Sequence, residues 1–167
     1  MRSGKPEKLR ITLDTNILVE YWKKQDKMSV VEILLEKSKN GEVDLVVTRR
    51  IEDDIPMPKL SERIKNLSDL GVSQIGSVTR LGHWVLGVDM LGSEEFLSVT
   101  DELHQEADSN NRKFPDWRDL DHIHAHFLQH RDYFLTWDKE ILKLREAFRE
   151  RLGLIIMSPD DFLTSMN

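Results

Sequence analysis

The reading of Leu9-Arg10-Ile11-Thr12-Leu13-Asp14-Thr15-Asn16 decides the fold. Ile11 and Leu13 alternate with polar neighbours as in a short strand, and Asp14-Thr15-Asn16 supplies cap chemistry for the apolar-periodic Ile17-Leu18-Val19-Glu20-Tyr21-Trp22 that follows. A strand hands over to a helix at Asp14, and in open α/β sheets that handover, at the carboxyl end of a strand, is where ligands bind. An acid there is placed for chemistry.

Working outward, the same alternation of strand and helix repeats. Met28 to Lys39 reads as a second helix closed by Asn40-Gly41, and Glu42 to Thr48 as a buried strand. Ile51 to Ile55 is a helical turn that Pro56 and Pro58 cut short. Lys59 to Leu70 sets Leu60, Ile64 and Leu67 on one helical face, ended by Gly71. From Val72 to Gly92 glycines punctuate apolar residues without a period, which predicts an irregular insertion, a hairpin or a lid. Beyond it come helices over Glu94 to Ala107 and Asp116 to His130, and a strand at Tyr133 to Thr136. A charged helix at Lys139 to Arg151, a strand at Leu154 to Met157 and a last turn capped by Ser158-Pro159 complete the chain. Strands separated by helices of this length pair in parallel, so the expected class is α/β: three layers, α/β/α, around a central parallel sheet.

At 167 residues, with 39% hydrophobic and 32% charged, residues 1–167 are expected to form a single domain with one well-buried core. The absence of cysteine removes disulfides, thiolate metal sites and cysteine nucleophiles, and fits a reducing compartment such as the cytoplasm. The basic residues before Ile11 are followed by no apolar segment, and no run approaches about eighteen apolar residues, so neither export nor membrane spanning is expected. A formal charge of −6 argues against capture of nucleic acid by overall charge. Local concentrations do exist, at Arg49-Arg50, Arg112-Lys113, Arg118 and along Lys139 to Arg151, although solvated helix faces carry such charges too.

The acids fall at strand ends. Asp14 follows the first strand, Glu52, Asp53 and Asp54 the second, Asp119 and Asp121 begin a helix, and Asp138 follows Thr136. In a parallel sheet those ends share one edge. Carboxylates gathered there raise one another's pKa, and a hard divalent cation, Mg²⁺ or Mn²⁺, is the natural neutraliser of oxygen-only ligands. Aspartate at a helix start is also simply a good N-cap, which for Asp14 alone is as good an account. The histidines offer a rival: His122, His124, His126 and His130 crowd one helix, with i, i+4 pairs that suit a transition metal, but no His-Glu-x-x-His arrangement accompanies them.

Leu13-Asp14-Thr15-Asn16-Ile17-Leu18, the acids after Val46-Val47-Thr48, Asp119-Leu120-Asp121-His122-Ile123 and Asp132-Tyr133-Phe134-Leu135-Thr136-Trp137-Asp138 together resemble the PIN domain, from Ile11 to Leu163. Much of that family consists of small metal-dependent ribonucleases, many of them the toxins of type II toxin–antitoxin pairs. The resemblance implies a Mg²⁺- or Mn²⁺-dependent endoribonuclease with RNA as substrate, an antitoxin protein as partner and a homodimer. Asp14, Asp119 and Asp138 match its metal-binding acids, and Asn16 and Thr136 its supporting polar residues. Asp121 is the alternative to Asp119; two positions apart on a helix point roughly 200° apart, so both do not face one ion. For the second acid the pattern selects Asp54, with Glu52 as the alternative. Trp137 is a candidate for base stacking or for packing. The rival function is a catalytically silent PIN-like binding or scaffolding module.

Overall fold

The structure, a computed structural model, describes residues 8–54, 60–78 and 91–166, without the side chains of 53, 54, 60 and 61. Five strands, β1 (Leu9–Leu13), β2 (Val43–Thr48), β3 (Val72–Ile75), β4 (Tyr133–Leu135) and β5 (Ile156–Met157), form one sheet in the order β3-β2-β1-β4-β5. Every pairing is parallel, with Leu13 opposite both Val47 and Leu135. The helices are α1 (Thr15–Lys23), α2 (Met28–Lys39), α3 (Ile51–Asp54), α4 (Leu60–Lys65), α5 (Glu94–Ser109), α6 (Trp117–Leu128), α7 (Lys139–Lys143), α8 (Arg145–Leu152) and α9 (Pro159–Ser165). This is the expected three-layer α/β/α arrangement.

The period of two along the strands divides the core. Ile11, Leu13, Val43, Leu45, Val47 and Leu135 pack with Ile17 and Leu18 of α1, Val31, Leu34 and Leu35 of α2, and Phe162 of α9. Phe134 and Ile156 pack on the other face with Phe96 and Leu103 of α5, Ile123 of α6, Ile141 of α7 and Phe148 of α8. A parallel sheet is covered on both faces, so polar strand residues on the second face need partners. Thr12 and Thr48 are fully buried there, and histidines of α6 meet them: His126 Nδ1 bonds Thr12 Oγ1 at 2.9 Å, and His122 Nδ1 bonds Thr48 Oγ1. The polar alternation in the first strand therefore does not mark a solvated face.

Several boundaries differ from the expectation. Val72–Ile75 is not irregular: it is β3, the strand beside β2, entered through Gly71 at φ 76°. Strand β3 is short and exposed at Ser73 and Gln74, which hid its period. Residues 79–90 of the expected insertion and the Pro56–Pro58 break lie outside the described residues. The helix expected from Lys139 to Arg151 is interrupted at Leu144, giving α7 and α8, and Gly153 at φ 68° turns the chain into β5. Helix α6 starts one residue later than expected because Asp116 caps it.

Candidate functional site

The parallel sheet brings the carboxyl ends of β1 and β4 side by side, with the Asp14 N–H donating to Leu135 O at 2.9 Å. Asp14 stands at the N-cap position of α1, but its side chain makes no cap hydrogen bond. Its Oδ2 instead accepts from Thr136 Oγ1 at 2.6 Å and from Asn16 Nδ2 at 2.9 Å. Capping therefore does not explain Asp14, a carboxylate only 5% exposed. Thr136 is the hub of the arrangement: its Oγ1 also accepts from the Asp138 N–H at 2.9 Å and lies 3.3 Å from Asn16 Nδ2. Asp138 does cap, its Oδ1 accepting from the N–H groups of Glu140 and Ile141 at the start of α7.

Asp14, Asn16, Asp119 and Asp138 line one pocket of about 330 Å³, together with Asp116, Arg118, Thr15 and Val19. Burial, and then the charges of Asp116, Asp14 and Asp138, push the Asp119 carboxyl up to about 6. Asp119 thus feels the other three carboxylates. Among the described residues no three of the Asp, Glu or His side chains close on a common point at metal-binding distance; the acids ring the pocket. The donor set nonetheless fits a hard cation. It is oxygen-only, Asn16 Oδ1 is buried without a hydrogen-bond partner beside Asp14, and the charge on Asp119 is opposed by its neighbours.

The alternatives separate by environment. Asp121 is 1% exposed and pairs with Arg50, from Nε at 3.1 Å and Nη2 at 2.9 Å, which ties α6 to the turn after β2. Asp119 lines the pocket and Asp121 does not, as their separation on the helix required. Glu52 is not among the pocket's lining residues; it accepts from Gln74 Nε2 at 3.1 Å and lies 3.8 Å from Arg49 Nε. Asp54 ends α3, and its side chain lies outside the described residues. Trp137 packs rather than facing the pocket, with its Nε1 donating to Asp160 Oδ2 at 2.6 Å and Lys27 Nζ 4.6 Å from its ring centre.

The histidines do not assemble. His122 and His126 bond different strands, His124 accepts from the Ser93 N–H at 2.8 Å and stacks on Phe96 at 4.1 Å, and His130 is exposed. Of the charged pocket residues, Asp116 was not singled out for the site, and Arg118 only as one of several local positive charges. Asp116 is legible as a cap, its Oδ1 accepting from the Arg118 and Asp119 N–H groups, but only the fold shows which cavity that cap borders.

No family model and no curated protein matches this chain. Solved structures do match it. VapBC2 from Rickettsia felis, bound to a DNA fragment from its promoter, superposes with a TM-score of 0.52 over 90% of this chain and 98% of that one at 13% identity. VapBC-1 from nontypeable Haemophilus influenzae gives 0.53 over 91% and 99% at 12% identity. At such identities the likeness is one of fold: the chain has the PIN-like architecture found in these toxin–antitoxin structures.

Proposed function

We propose that the protein is a metal-dependent endoribonuclease that hydrolyses phosphodiester bonds in RNA, and that it serves as the toxin of a toxin–antitoxin pair in the cytoplasm. The observation that carries this reading is Asp14: a buried acid released from capping, oriented by Thr136 and Asn16, in one pocket with Asp116, Asp119 and Asp138. Asp14, Asp119 and Asp138 would hold Mg²⁺ or Mn²⁺, which when bound supplies an acidified water and neutralises charge on the leaving oxygen. Thr136 keeps the Asp14 carboxylate in place and spaces it from Asp138 through the Asp138 N–H. Arg118, on the pocket wall, offers a guanidinium to the phosphate. Asp54 takes the second-acid role as a group that orients or activates water, since Glu52 is engaged by Gln74 and Arg49. The reading extends to an antitoxin protein as partner, because both neighbours are VapBC structures, and to a homodimer.

Cleavage of mixed single-stranded RNA with Mg²⁺ or Mn²⁺ tests the reading. Wild type should cut, chelation should stop it, and Asp14→Asn should lose about a hundredfold or more with an unchanged thermal melt. Equal cutting by both would remove Asp14 from the mechanism. No cutting by wild type across metals and substrates would leave a PIN-like binding module.

A further inference from the structure

A second cleft, of about 370 Å³, opens between the C-terminal end of α5, the segment at 110–116 and the corner of α7 and α8. Leu103, Ala107, Leu144 and Ala147 form its apolar side, and Arg112 and Lys113 stand on its rim. Two acids also face it, and both are already matched: Glu106 accepts from Arg151 at 2.7 Å and Glu140 from Lys143 at 2.9 Å. Arg112 and Lys113 make no ion pair among the described residues. In a chain of charge −6, two unmatched cations beside an apolar floor mark a place for an anion with a flat apolar part.

The cleft adjoins the acid pocket along two segments. Three residues carry the chain from Lys113 to Asp116, and two from Asp138 to Glu140. At roughly 3.3–3.6 Å per residue, neither pair of Cα atoms is more than about 11 Å apart, a span of a few nucleotides. The volume lies within the range of sites that take a nucleotide-sized ligand, ~300–1,000 Å³.

Resting on the RNA-cleaving reading above, we propose that this cleft seats an unpaired RNA nucleotide that flanks the scissile bond, its base against Leu103, Ala107, Leu144 and Ala147 and its phosphate on Arg112 and Lys113. Only an unpaired base can turn its face to such a floor, so the substrate at this subsite is single-stranded.

Anisotropy of a labelled single-stranded RNA of about ten nucleotides, titrated in EDTA over a range of salt, reads binding without cleavage. Arg112→Glu with Lys113→Glu should weaken binding about tenfold and flatten the logarithmic salt dependence by about 1.4, the value for two phosphate contacts to a single strand. Arg145→Glu with Arg149→Glu, the same charge change on α8 at positions that do not line the cleft, should cost less than about threefold. Equal losses from the two pairs, or duplex RNA bound as tightly as single strand, overturn the proposal. In the cleavage assay Ala147→Phe, which fills the floor, should raise KM with kcat kept and shift the cut positions; unchanged KM and cuts overturn it. Rim-dependent binding with no cleavage under any metal would sink the nuclease reading and leave the cleft as a single-strand RNA site, whereas normal cleavage indifferent to the Arg112, Lys113 and Ala147 changes would sink only the cleft.

Discussion

At Thr136 a single buried hydroxyl meets three groups: the Asp14 carboxylate, the Asp138 N–H and the Asn16 amide. Replacing it by valine keeps the shape but removes one of the two donors to Asp14 Oδ2 and the acceptor of the Asp138 N–H, so Thr136→Val should cost about 1–3 kcal/mol in a denaturant melt, with Thr136→Ser restoring most of it. The two aspartates of α6 should part company in the same experiment. Asp121→Asn removes a buried charge paired with the Arg50 guanidinium and should destabilise by about 3–5 kcal/mol. Asp119→Asn removes a charge that its neighbours oppose, so the metal-free protein should melt at the same temperature or higher, while cleavage is lost. Similar melts for the two variants would reject the assignment of Asp121 to structure and Asp119 to the pocket.

Helix α6 is the element that joins the layers. Asp121 reaches the turn after β2, His122 bonds Thr48 of β2, His124 holds the entry to α5 through Ser93, and His126 bonds Thr12 of β1. Burial, and then Arg131 and Arg10, push the His126 imidazole down to about 3. The folded state therefore keeps His126 neutral where the unfolded chain, titrating near 6.5, takes up a proton. Its contribution to stability is full above about 6.5 and is lost as pH falls toward 3. Comparing wild type with His126→Asn from pH 7 to 4 should show a steeper fall in wild type; parallel curves would contradict a neutral buried imidazole. His124→Phe keeps the stack on Phe96 but orphans the Ser93 N–H, and should cost about 1 kcal/mol.

Across the whole molecule the parallel sheet sends every strand's carboxyl end to one edge, which is why acids from distant parts of the chain meet. Asp119 gives that gathering a pH signature opposite in sign to that of His126. With its carboxyl raised from 3.8 to about 6, the metal-free protein loses this contribution as pH rises through about 6. Mg²⁺, which needs the ionised acid, should stabilise more strongly above pH 6; at about 100 times its Kd it should add about 2.7 kcal/mol, or roughly 5–10 °C in Tm. Asp14→Asn should abolish that increment, and a Mg²⁺ effect that ignores Asp14 would place the ion elsewhere.

The sequence by itself determined the α/β class, the order of most elements and the strand-end placing of Asp14 and Asp138, because strand period, caps and strand-end acids are local signals; Asn16, Thr136 and the choice between Asp119 and Asp121 came only from the resemblance to the PIN domain. It could not show that Thr12 is buried against a histidine, that Val72–Ile75 joins the sheet, or that Asp121 belongs to Arg50. Those depend on which residues distant in the chain become neighbours. Tertiary structure also decided the cap question at Asp14: in an N-cap position its carboxylate makes no cap hydrogen bond and instead accepts from the Thr136 hydroxyl, which the end of β4 brings within 2.6 Å.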